Sequence, residues 1–371
     1  MNVEVEYSDL EGVDGAEEIL AAVTPASGSI LAAYNQLGDD GVGALIAGLG
    51  DAAKLARLDL TDNEVGDRGL LAALAYAAGH SALRHLSLAF NAIHLDEATT
   101  APALAALNAS HLESLTLFSN HLEPAAVNDL FDGLAAPRLA TLALSRCNVG
   151  DSAAGSIAEF LASPRSAALS SLDLSNNWLS ALAVKDIVDA VEAHHYGVVH
   201  LALASHGLRG ARGCILFKPD FDPKADVAGV GVHIEMGHQL HERLPAVLAR
   251  NRELRRRVMA AAARAVAPAR ILLHAEAGDE ASKAGAFPLT RLPPELQLVI
   301  ARHASGDAGA LSEAQWARVV RYAGDRRTLG AMPACPATGG GADADARIGL
   351  ALGGWCDALG VARWEGELRP S

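Results

Sequence analysis

The sequence predicts an α/β array built from one unit, a short strand followed by a helix, repeated seven or eight times ahead of a helical C-terminal region. Three observations lead there. A leucine-spaced motif returns every 27 to 30 residues through the first 208 positions. Half of the 371 residues are apolar but only 4% are aromatic, so a core must be assembled from thin layers of Leu, Val, Ile and Ala. The charge also divides the chain: residues 1–208 carry 8 Lys/Arg against 26 Asp/Glu, whereas the remainder carries 22 against 18, for a formal net charge of −14. Such a composition excludes a disordered, collagen-like or disulfide-scaffold chain.

The repeat is explicit in its strongest copies. Leu55, Leu58, Leu60, Asn63 and Val65 are followed at the same offsets by Leu83, Leu86, Leu88, Asn91 and Ile93, and then by Leu112, Leu115, Leu117, Asn120 and Leu122. Leu139, Leu142, Leu144, Cys147 and Val149 continue the series, as do Leu169, Leu172, Leu174, Asn177 and Leu179. Weaker copies flank them around Ile30, Asn35 and Leu37 and around Val198, Leu201, Leu203, His206 and Leu208, with a partial first copy at Val3, Val5, Ser8 and Leu10. In each, the Leu-x-Leu segment alternates with period two, which predicts a short strand with its leucines inward. The Asn or Cys that follows is placed to hydrogen-bond backbone groups where the chain leaves the strand. A helix then completes the unit. Gly38-Asp39, Gly66-Asp67 and Gly150-Asp151 read as turns with N-caps, Pro124 suits a helix start, and Val42, Leu45, Ile46 and Leu49, or Ile157, Phe160 and Leu161, recur at helical spacing.

This L-x-x-L-x-L-x-x-N/C-x-L pattern resembles leucine-rich repeats, and a period of 27 to 30 with a full helix per unit resembles their ribonuclease-inhibitor-like class. The resemblance covers about residues 3–208. It implies a right-handed solenoid arc with a parallel sheet on the concave face and helices outside. The class includes inhibitors, the Ran GTPase-activating protein and innate-immunity sensors, so it specifies fold far better than function.

In such an arc the outward strand positions form the docking surface. Most are small. The exceptions, Arg57, Asp59, Asp62, His85, Phe90, Phe118, Arg146, Asp173 and Asn176, are the expected partner-binding residues, because exposed rings beside Arg and Asp have the composition of interface hot spots. Tyr34 and Trp178 join them. The competing expectation is that Phe90 and Trp178 turn inward to fill gaps between thin layers.

After Leu208 the period stops. Residues 209–236, with Pro219 and Pro223, predict a closing loop, and residues 237–330 a helical region. A long helix is expected from about Leu244, broken near Pro268, with Arg255, Arg256 and Arg257 as a solvated face beside the acidic arc; a targeting signal is the alternative. It could also cap the open end of the array. His233, Glu235, His238 and His241 have partial metal-ligand spacing, but no fourth ligand is evident and Gly237 is expected to interrupt the helix, so no metal is expected.

Leu292 to Leu329 begins LPPEL and continues with a Ser312/Gln315 capping-box pattern before Trp316, Val319 and Val320. It resembles the opening of an F-box, and similar tails follow leucine-rich repeats in fungal proteins. That resemblance implies docking on a cullin ubiquitin-ligase adaptor through Leu292, Pro294, Leu296 and Ile300. F-boxes usually precede their repeats, so a helical packing domain is the alternative. Residues 331–371 predict a Gly/Ala-rich linker and a short C-terminal helix.

No catalytic residue is expected. The chain lacks G-x-x-x-x-G-K-[ST], H-E-x-x-H, G-x-S-x-G and paired-Cys patterns. GTPase activation would need an arginine at the arc's rim, where Arg146 and Arg57 are the candidates. Cys147, Cys214, Cys335 and Cys356 are scattered, an acidic N-terminus replaces a secretory leader, and no stretch reads as a membrane span, so the expected location is inside the cell, in the cytoplasm or nucleus. The expected partner is a protein, with no cofactor, no membrane and no nucleic acid, the last disfavoured by the acidic arc. The expected assembly is a monomer.

Overall fold

The computed structural model describes residues 2–50, 54–204, 231–274, 294–307, 309–328, 352, 354–361 and 364. Every Leu-x-Leu segment forms a three-residue strand: β1 (Asn2–Glu4), β2 (Ser29–Leu31), β3 (Arg57–Asp59), β4 (His85–Ser87), β5 (Ser114–Thr116), β6 (Thr141–Ala143), β7 (Ser171–Asp173) and β8 (His200–Ala202). They pair in parallel, in chain order, in one eight-stranded sheet. The partial first copy is therefore a full strand. Register places Val3, Ile30, Leu58, Leu86, Leu115, Leu142, Leu172 and Leu201 in one row, and all eight are buried. Each such side chain contributes about 1.5–3 kcal/mol of apolar burial, which a one-residue slip would forfeit along the whole strand.

Between strands run α1 (Gly12–Ala22), α2 (Gly38–Leu49), α3 (Asp67–Gly79), α4 (Glu97–Ala109), α5 (Pro124–Gly133), α6 (Ala154–Ala162) and α7 (Ala181–His194). Their inner faces follow the 3.6 period: in α7, Val184, Ile187, Val188 and Val191 are all fully buried. The fold is a leucine-rich-repeat solenoid, as the periodicity predicts.

The polar ladder is built as the spacing requires. Asn177 Oδ1 accepts from the N–H groups of Cys147 (2.9 Å) and Val149 (3.1 Å), and its Nδ2 donates to the carbonyls of Leu144 (2.8 Å) and Leu174 (2.8 Å). Asn35 and Asn91 do the same one repeat apart from their partners. Cys147 substitutes in part, its thiol donating to the Leu117 carbonyl at 2.9 Å. Burial pushes that thiol up to about 12, so it stays a donor.

The Gly-Asp turns correct an expectation. Helices α2 and α3 lack a side-chain N-cap. The carboxylates act on the next repeat instead: Asp39 accepts from Gly66 N (2.7 Å) and Gly69 N (2.8 Å), Asp67 from His94 N, Leu95 N and Asp96 N, and Asp151 from Ser180 N (2.6 Å). Burial alone would raise Asp67, but those N–H donors and the Thr99 hydroxyl outweigh it and hold it below the ordinary carboxylate range. Part of the acidity of the arc is thus a set of staples between repeats, each satisfying free N–H groups at a helix start.

A further helix, α8 (Gly231–His274), runs unbroken through Gly237 and Pro268, where interruptions are predicted. Fully buried Ala265, Val266 and Ala269 around Pro268 supply packing that offsets the lost helical hydrogen bond. The helix also occupies 231–236, within the predicted closing loop, whose residues 209–230 lie outside the described residues. The chain divides into two compact units, Met1–Leu248 and Ala249–Ser371. The first extends past the predicted end of the arc at 208 because Leu240, Leu244, Val247 and Leu248 of α8 join the same continuous core as the repeats. Arg243 secures them, its Nε donating to Glu192 at 2.6 Å and its Nη2 lying 2.7 Å from Asp189 of α7.

The second unit packs Val258, Ala261, Ala262, Ala265, Val266 and Ala269 of α8 with Ala301 of α9 (Pro294–Ala304), Trp316, Val319 and Ala323 of α10 (Glu313–Gly324), Cys356 and Val361. The Ser312/Gln315 capping box is present at α10, and residues 354–359 are helical. Its arginines are not merely a solvated face. Arg255 pairs with Asp357 (2.8 Å), Arg256 with Glu253 (2.7 Å) and Arg257 with Asp307 (2.9 Å), while Arg264 donates to the Ser305 carbonyl (2.6 Å). Arg255, Arg257 and Arg264 thus tie α8 to neighbouring segments of the unit, while Arg256 pairs along the exposed face of α8 itself. Among the described residues, no helix is long and apolar enough to cross a membrane.

Candidate functional site

The outward positions of the eight strands line up by the same register that buries the leucines. The first outward column is Asn2, Ser29, Arg57, His85, Ser114, Thr141, Ser171 and His200, and the second Glu4, Leu31, Asp59, Ser87, Thr116, Ala143, Asp173 and Ala202. Arg57, His85 and His200 are exposed, whereas Asp59 and Asp173 are half-buried. The two aspartates have a local duty. Asp59 accepts from the Thr61 N–H (3.2 Å) and hydroxyl (2.6 Å) and pairs with Arg57 (3.3 Å), and Asp173 accepts from the Ser175 N–H (2.9 Å). Each carboxylate closes the turn that leaves its strand.

Among the described residues, the backbone turns left-handed one residue before each ladder position. Tyr7 (φ 52°), Tyr34 (60°), Asp62 (53°), Phe90 (52°), Ser119 (60°), Arg146 (54°) and Asn176 (55°) form this row. Their N–H groups donate to the next repeat, Tyr34 to Thr61 O (2.8 Å), Asp62 to Ala89 O (2.8 Å), Phe90 to Phe118 O (2.7 Å) and Arg146 to Ser175 O (3.0 Å). Asn and Asp take this conformation cheaply, but Tyr, Phe and Arg give up about 1–2 kcal/mol each. The hydrogen-bonded row holds them there and projects one side chain per repeat.

The rings face out. Tyr34 is 40% exposed, Phe90 43% and Trp178 44%, so Phe90 and Trp178 do not fill the core. Rings between layers come instead from helices, such as Phe131 and Phe160 with centroids 5.7 Å apart. On the strand face Phe90 meets the half-buried Phe118 edge-on, with centroids 4.7 Å apart at 87°, and Arg146 places its guanidinium 5.8 Å over Phe118. Phe90, Phe118 and Arg146 are thus one assembled group, with Asn176 and Trp178 beyond it. At the other end Tyr7 stacks on Tyr34, with centroids 4.2 Å apart at 7°. Their hydrogen bond, with Glu6 and Asp62 nearby, raises Tyr7 above the ordinary phenol range. Tyr7 is absent from the expected binding set. It precedes Ser8 as Tyr34 precedes Asn35, and that offset could have found it.

The two candidate rim arginines differ: Arg57 is tied to Asp59, while Arg146 lies over a ring. Of the expected adaptor-docking residues, Leu292 lies outside the described residues and Pro294 opens α9. Leu296 and Ile300 are exposed with Val299 on one face of that helix. The side chains of His233, Glu235 and His238 lie outside the described residues, and His241 is exposed.

A family model described as Leucine Rich repeat matches residues 53–72, which hold β3 and the start of α3. No curated protein matches the chain. Among solved structures, an internalin (inlF) from Listeria monocytogenes str. 4b F2365 is similar at 14% identity, over 55% of this chain and 80% of that one, with a TM-score of 0.20. The repeat match agrees with the periodicity of the strands and helices, which form a leucine-rich-repeat fold.

Proposed function

We propose that the chain is a non-enzymatic protein-interaction module that takes a protein partner on the concave strand face of its repeat unit. The observation that carries this reading is the left-handed row. Seven residues, one from each of seven repeats, are held in register by backbone hydrogen bonds, and three are aromatic and exposed at a conformational cost that core packing does not explain. Rings and an arginine already fixed in place lose little entropy on docking.

The second reading is a ubiquitin-ligase adaptor function in the C-terminal unit, supported by the uncovered Leu296, Val299 and Ile300 of α9. One experiment addresses both. The full chain, its Phe90→Ala/Arg146→Ala variant and its Leu296→Asp variant are used as baits in affinity capture with quantitative mass spectrometry. The strand-face reading expects a partner whose recovery falls roughly 30-fold with the first variant, the equivalent of about 2 kcal/mol at a hot spot, and is unchanged with Leu296→Asp. Loss of a cullin adaptor with Leu296→Asp alone would favour the second reading.

A further inference from the structure

The first repeats are more acidic than those that follow. Residues 1–66 contain 13 Asp/Glu and only two basic residues, Lys54 and Arg57, and Arg57 is engaged by Asp59. Register puts Glu4 in the same column as Asp59, and exposed Glu6 precedes Tyr7 in the chain as Thr61 precedes Asp62. Of these carboxylates, Glu6 and Asp62 lie near enough to the Tyr7 and Tyr34 stack for their field to be felt at the Tyr7 phenol. Tyr7 is 69% exposed. A parallel stack covers one face of each ring and leaves an outer face open.

Ring faces attract cations, and neighbouring carboxylates strengthen that attraction while disfavouring anionic ligands. The chain already displays the contact farther along the same row, where Arg146 sets its guanidinium over Phe118. Beyond residue 66 the row carries Phe90, Ser119, Arg146 and Asn176 and no carboxylate.

We propose that the Tyr7 and Tyr34 pair, with Glu4, Glu6 and Asp62, is the subsite that receives an arginine- or lysine-bearing segment of the partner, the cation lying on the open tyrosine face and its charge met by the carboxylates. The proposal rests on the strand-face reading and adds the partner's chemistry. Arginine is the better ligand, because its planar guanidinium stacks on the ring while donating to carboxylates at its edge.

The probe is a fluorescein-labelled octa-arginine peptide, titrated against the full chain by fluorescence anisotropy, with octa-glutamine as the neutral control. Any acidic protein attracts such a peptide, so the deciding comparison is among variants. Tyr7→Ala/Tyr34→Ala leaves the net charge unchanged and is expected to weaken binding about tenfold. Tyr7→Phe/Tyr34→Phe keeps the rings and is expected to stay within twofold, as is Glu17→Gln/Glu18→Gln, which removes charge from helix α1. Equal binding by the alanine variant and the parent, or equal loss in the α1 variant, would overturn the proposal. If the peptide fails to bind while Phe90→Ala/Arg146→Ala still abolishes partner capture, this subsite is refuted and the strand-face reading stands. If neither responds, both fall.

Discussion

Replacing Asn177 with Leu is expected to destabilise the repeat unit by about 3–5 kcal/mol. The substitution nearly conserves volume, so packing changes little, but the side chain is 1% exposed and serves five backbone groups. Each buried donor or acceptor left unsatisfied costs about 1–3 kcal/mol, and local relaxation returns only part of it. Asn63→Leu supplies the comparison. Asn63 is equally buried and its Nδ2 donates to Ala32 O (2.8 Å) and Thr61 O (3.0 Å), but its Oδ1 has no partner among the described residues. It should therefore cost roughly half as much. Urea titrations of both variants test the ranking through their midpoints. Equal losses would mean that the ladder contributes through side-chain packing and not through the hydrogen bonds.

Leu240→Asp is expected to lower stability by about 4 kcal/mol or more. Leu240 is 2% exposed in the core that α8 shares with the repeats, and the nearby Arg243 is already engaged by Asp189 and Glu192. An unpaired buried charge combines with the loss of apolar burial. A solenoid without its cap exposes a full layer of leucines and aggregates, so a lowered midpoint should be accompanied by light scattering on heating. Leu240→Met keeps volume and polarity and should cost less than about 1.5 kcal/mol. Equivalent behaviour of the two variants would show that α8 does not close the array.

The contrast between those residues and others shows what a sequence of this kind discloses. The ladder and the strands were legible because their chemistry is local and periodic: an Asn at fixed offset from a Leu-x-Leu segment reports its own backbone surroundings. Asp39, Asp67 and Asp151 share that period, yet their acceptor oxygens serve the following repeat, and a repeat pattern does not distinguish a bond within a unit from the same bond one unit along. Pro268 reads as a helix break because local propensity opposes it, while the packing of Ala265, Val266 and Ala269 that holds the helix together is made with other elements of the unit. Phe90 was open between two readings, inward or outward, because burial depends on whether layers leave gaps; Phe131 and Phe160 fill that role from the helices. The left-handed φ of Tyr34 and Phe90 has no signature in residues that normally avoid it. The partners of Arg255 and Arg257 lie 102 and 50 residues away, beyond any spacing rule.

Since three of the seven residues in the row are rings, hydroxyl-radical footprinting of the full chain with and without its captured partner tests the interaction face most directly. Tyr34 and Phe90 are exposed in the row that follows the strands, and Val13 and Leu182 are exposed on helices. The account predicts that oxidation of Tyr34 and Phe90 falls severalfold in the complex while Val13 and Leu182 react as in the free chain. Unchanged oxidation of the rings, with protection confined to the helices, would contradict it.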